Sequence, residues 1–162
     1  MENSYEKIRL IAVSISLFLL TFDTVEGKDW RGITPLRSTM EDVKLLLNSD
    51  LKFNYFSSES ETVIFHYKKA EGQNYGQFAR CDIPVGTVYA ITVNFKDGLP
   101  RSVFEDKNIK FERIFSCIPN SFRHYNKNEG LNISANEKLV GTIIYLPTIQ
   151  DIDYFKCPTD FN

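Results

Sequence analysis

Apolar residues fall first in one unbroken run. Residues 10–22 read LIAVSISLFLLTF, thirteen positions without a charge. Crossing a bilayer core takes about 20 apolar residues, so the run is short for a span and has the length of a signal-peptide core. Lys7 and Arg9 precede it, and Val25-Glu26-Gly27 sets small residues three and one positions before a cut. The pattern predicts a signal peptide over 1–27 and a mature domain over 28–162. It also predicts no membrane span after cleavage and a periplasmic or extracellular location. No cysteine lies near the cut, which argues against a lipid anchor.

Beyond Lys28 the pattern breaks into short periodic stretches. Ser38-Thr39-Met40-Glu41 reads as a capping box, with the serine hydroxyl and the Glu41 carboxylate each satisfying a backbone N–H. Met40, Val43, Leu46 and Leu47 follow at helical spacing and predict a helix over 39–47. Residues 53–56 form a short aromatic strand. Residues 62–67 alternate, with Val63, Phe65 and Tyr67 on one side and Thr62, Ile64 and His66 on the other. Residues 87–95 alternate again, with Tyr89, Ile91, Val93 and Phe95 on one face, and Asp97-Gly98-Leu99-Pro100 reads as the closing turn. Residues 69–82 lack periodicity and read as a long surface loop.

In the second half, 102–105 can cap a short helix, and 109–115 fits helix and strand equally. Strands are expected over 122–126, 131–134 and 139–146. Thr148 with Asp151 caps a last helical turn. The fold class is α+β: an antiparallel sheet of about six strands with one or two short helices on one face. Residues 37–42 (RSTMED) echo 101–106 (RSVFED), and each is followed by about three strands. That echo suggests a tandem helix–βββ duplication.

Charge narrows the function. Cutting at Gly27 removes two of 19 basic residues and four of 21 acidic ones, leaving 17 of each. A neutral chain with dispersed signs carries no electrostatic footprint for nucleic acid. Aromatic residues make up 14% of the chain, enough buried area to argue against disorder. Cys81, Cys117 and Cys157 are an odd set. In an oxidising compartment two of them pair, and three pairings are open.

Candidate chemistry is sparse. His66 and His124 are the two histidines, and a Cys–His nucleophile pair conflicts with disulfide bonding. No close ligand pair marks a metal site, and no cofactor motif is present. Asp151 and Asp153 share a face only in extended chain. Asn132-Ile133-Ser134 is a glycosylation sequon, meaningful in a eukaryotic secretory route. Trp30 is either a docking aromatic or a residue that packs the chain start on the sheet. Tyr75, Phe78 and Arg80 in the 69–82 loop are residue types enriched at binding hot spots.

Three segments carry a resemblance: WRGITPLRSTMEDVKLLL from Trp30, IPVGTV from Ile83 and GTIIYLPTIQDIDYFKCP from Gly141. They resemble a family of small exported proteins of acidobacteria-like bacteria to which no chemistry is attached. Ile83 stands where that pattern has Val, and a Trp before the turn is missing. The resemblance implies a Cys81–Cys157 disulfide, with Cys117 outside the family pattern. A looser, fold-level resemblance is to the helix-plus-sheet modules of β-lactamase inhibitor proteins and of outer-membrane assembly lipoproteins.

The expected function is a non-catalytic binding domain that meets a protein partner through its sheet face or the 75–80 loop. Two alternatives stand beside it. One is a hydrolase-type enzyme with a dispersed site such as His66, Glu61 and Arg113. The other is a structural component of the envelope.

Overall fold

A computed structural model of the chain describes residues 29–48, 54–70, 77–105, 107–113 and 120–158. The expected signal peptide, Tyr75 and Cys117 lie outside the described residues.

The chain enters the sheet through a tight turn. Trp30 and Ile33 exchange two backbone hydrogen bonds of 3.0 Å. Arg31 (φ 52°) and Gly32 (φ 86°) both sit at positive φ, the signature of a type I′ turn. The Asp29 carboxylate accepts from the Gly32 N–H at 2.7 Å. The turn lays Trp30 and Ile33 onto Val63, Phe65 and Val93. The Trp30 ring meets Phe65 edge-on at 5.5 Å.

Helix α1 (Met40–Leu47) is capped one residue later than its sequence suggests. Thr39 is the N-cap, and its hydroxyl accepts from the Asp42 N–H while Asp42 accepts from the Thr39 N–H at 2.7 Å. Ser38 is unavailable because the preceding turn uses it: its hydroxyl accepts from the Thr34 N–H at 2.9 Å and its carbonyl from the Val88 N–H at 2.8 Å. Asn48, in the left-handed region, ends the helix.

Among the described residues seven antiparallel strands follow, one more than expected. They are β1 (Tyr55–Ser57), β2 (Glu61–Tyr67), β3 (Val88–Pro100), β4 (Glu112–Arg113), β5 (Phe122–Asn126), β6 (Leu131–Ala135) and β7 (Leu139–Tyr145). The two-residue β4 accounts for the difference. Two further α-helices are α2 (Ser102–Glu105) and α3 (Ile149–Tyr154). The spatial order is β1-β2-β3-β7-β6-β5-β4. Strands β1–β3 and β5–β7 are thus two three-strand blocks joined at β3–β7, each block following a helix.

One face of the sheet is the core. Val43 of α1 packs with Val63, Phe65, Ile91 and Val93, and Phe104 of α2 packs with Leu131, Ile133, Val140 and Ile143. A third cluster closes the end of the sheet. Here the 69–82 stretch departs from the expected surface loop. Gln77–Arg80 form a 3₁₀ turn that drives Phe78 and Ala79 inside. Cys81 and Cys157 form a buried disulfide beside Leu36, Phe78, Ile83 and Ile152. Among the described residues no helix is long and apolar enough to cross a membrane.

Candidate binding face

Period-two alternation sends every second strand residue away from the core. Register decides which of these become neighbours. Cross-strand partners run in one unbroken row, Tyr55–Ile64–Thr92–Ile144–Asn132–Tyr125, across six strands. Five interstrand steps make the row about 24 Å wide. A second row lies two residues along: Ser57–Thr62–Asn94–Thr142–Ser134–Arg123. Helices α1 and α2 pack on the opposite face. Arg123 is the one charged residue in these twelve positions.

The rows differ in chemistry. The first ends in tyrosines that are 50% (Tyr55) and 43% (Tyr125) exposed, with Ile64 and Ile144 between them. The second is built of hydroxyls and amides. The Thr142 hydroxyl donates to Asn94 Oδ1 at 2.9 Å, and the Ser57 and Thr62 hydroxyls lie 3.4 Å apart. Among the described residues, Asn132 Oδ1 is buried without a hydrogen-bond partner. His66 continues the face. Its Nε2 lies 3.0 Å from Thr92 Oγ1, and its ring lies 5.9 Å from that of Tyr89. Burial holds the imidazole pKa below its ordinary value, and desolvation raises the Tyr125 phenol.

The residues singled out from the sequence do not gather in one place. Trp30 is buried in the core, with the Arg31 guanidinium 4.7 Å above its ring. Phe78 is buried beside the disulfide, whereas Arg80 is exposed. Tyr75 is outside the described residues. His66, Glu61 and Arg113 lie apart. His66 is on the open face, while Glu61 is buried on the core face and pairs with Arg31 at 2.7 Å. Arg113 is exposed on β4 at the far edge. His124 sits at the rim of the core face, where Nδ1–H donates to the Lys110 carbonyl at 2.7 Å. Among the described residues, no three His, Cys, Asp or Glu side chains cluster as metal ligands do.

Sequence reasoning identified the polar side of β2 but not the two rows. Alternation places Thr62, Ile64 and His66 together, yet nothing local aligns Ile64 with Thr92 or Ile144. The disulfide-closed α+β sheet with one helix-covered and one open face is a class defined by architecture alone. No family model matches the chain, and no curated protein or solved structure does so either.

Proposed function

We propose that this is an exported binding module that meets a protein partner through the open face of its sheet. The observation that carries the proposal is the Tyr55–Tyr125 row. Tyrosine is enriched and charge depleted at the centre of protein interfaces. Tyrosine also offers large rigid contact area at low entropic cost. Four of the row's six side chains are aromatic or aliphatic, and none is charged. Export is supported by the uncharged run over 10–22 and by a buried disulfide, which persists in oxidising compartments.

The test is affinity capture from the host's cell envelope and culture medium, using residues 28–162 as bait. Three baits run in parallel: the natural sequence, Ile144→Arg in the middle of the row, and Leu45→Arg on α1, where Leu45 is 83% exposed. The proposal expects one protein to be retained by the natural bait and by Leu45→Arg, and lost with Ile144→Arg. Equal retention by all three baits would refute it.

A further inference from the structure

The sheet contains an opening where β3 and β7 part. They pair at Asn94–Thr142 and again at Leu99–Val140. Four residues of β3, Phe95 to Gly98, therefore stand opposite the single residue Gly141. Strand β6 skips the same glycine, pairing Ser134 with Thr142 and Ala135 with Val140. A Cβ placed on Gly141 would meet nothing within 4 Å. The result is a recess of about 360 Å³, within the range of small-ligand sites. It corrects the sequence reading of Asp97-Gly98 as a closing turn. Leu139 and Val140 offer β3 a partner, so the strand bulges and continues to Pro100.

The lining has a definite chemistry. Asn136 Oδ1 is held by the backbone N–H groups of Lys138 (2.8 Å) and Leu139 (2.7 Å). Its amide nitrogen remains as a pair of donors. Thr142 gives its proton to Asn94, so its oxygen remains an acceptor. The hydroxyls of Ser121 and Ser134 can do either. Leu139 adds an apolar patch, seated so closely on Gly98 that a Cβ there would lie 2.9 Å from Leu139 Cβ. Lys96 and Asp97 line this recess, one charge of each sign, with the Lys96 ammonium drawn to the Ser58 carbonyl at 2.5 Å. A second hollow of about 280 Å³ adjoins it, shares Asn120, Asn136 and Leu139, and again carries one charge of each sign, Glu137 and Lys138.

We propose that these two hollows bind a neutral oligosaccharide, one sugar residue in each. A sugar matches the lining group for group. Its hydroxyls both donate and accept, its C–H face suits Leu139, and it needs no charged partner from a lining that holds two acidic and two basic side chains. This site shares Thr142 and Ser134 with the second row of the open face but none of the residues of the Tyr55–Tyr125 row, and different substitutions test the two.

The experiment is an amide ¹H–¹⁵N NMR titration of residues 28–162 with cellohexaose, chitohexaose and maltohexaose. Hexagalacturonate and a neutral Gly-Ser hexapeptide serve as comparison ligands. The proposal expects at least one neutral sugar to shift the amides of Asn136, Leu139, Gly141 and Thr142, with half-saturation near about 1 mM. Gly141→Leu fills the recess and is expected to weaken binding roughly tenfold. Ser134→Ala removes a single hydroxyl, covers the case in which the larger side chain disturbs folding, and is expected to weaken binding roughly fivefold. Three results would each overturn the proposal: no shift of these amides with any of the three sugars, equal shifts with the peptide or hexagalacturonate, or unchanged affinity in both variants.

Discussion

Reducing the Cys81–Cys157 bond is the perturbation with the best-defined magnitude. The bridge spans 76 residues, and a loop of that length restricts the unfolded chain by about 4.5 kcal/mol in the chain-entropy treatment. Measured staples usually give about 2–4 kcal/mol, so about 3 kcal/mol is expected here. Both sulfurs are buried among Leu36, Phe78, Ile83 and Ile152, and reduction leaves that packing largely in place. The effect therefore acts through the unfolded state. With a urea dependence of about 2 kcal/mol per molar, the midpoint should fall by about 1.5 M on reduction with a phosphine. The near-UV circular dichroism of the folded protein should change little. The Cys81→Ala/Cys157→Ala variant should fall at least as far, because it also removes two buried sulfur atoms. A midpoint change under about 0.3 M would refute the reasoning. It would mean that the unfolded chain already holds the two ends together.

Five further substitutions have outcomes that follow from their surroundings. Asp151 is buried, caps α3 through Thr148 and bonds Arg37 at 2.9 Å; Asp151→Ala should cost about 3 kcal/mol in urea unfolding. Arg37→Ala should cost only about 1 kcal/mol, because Arg37 is 44% exposed and Asp151 keeps its Thr148 bonds. Gly130→Ala should destabilise by about 3 kcal/mol or more, since the new Cβ would lie 2.2 Å from the Leu146 carbonyl oxygen. Gly32→Ala, at positive φ but in open space, should cost about 1 kcal/mol, as thermal melts of the pair would show. His66 has a pKa depressed by burial. The unfolded chain therefore takes up its proton first, and stability should fall as pH drops from the ordinary histidine range through the folded-state pKa. His66→Gln should flatten urea midpoints across that range, and an unchanged slope would contradict this.

Local signals in the sequence suffice where one short segment decides the outcome. The alternation in β2 and the Thr148–Asp151 cap are both intact in the fold. The α1 cap moved by one residue because Ser38 is engaged by Thr34 and Val88, and the Val88 contact comes from a strand 50 positions away. The Asp97-Gly98 pair carries turn chemistry, yet the strand continues because β7 lies alongside to receive Leu99 and Pro100. The polar composition of 69–82 conceals Phe78 and Cys81, whose burial depends on Cys157 far along the chain. The candidate face was half legible. Its residues could be sorted to the correct side of each strand, but their alignment into rows is a property of register.

The most direct test of the proposed face is a photo-crosslinking scan in the host cell. A benzophenone amino acid replaces, one at a time, Tyr55, Ile64, Ile144 and Tyr125 in the row, and Leu45, Val103 and Tyr154 elsewhere on the surface. One adduct of a single mass is expected from the row positions, none from the other three, and the row adducts should disappear when Asn132→Arg is added. Adducts of that mass from Leu45, Val103 or Tyr154 with none from the row would contradict the proposal.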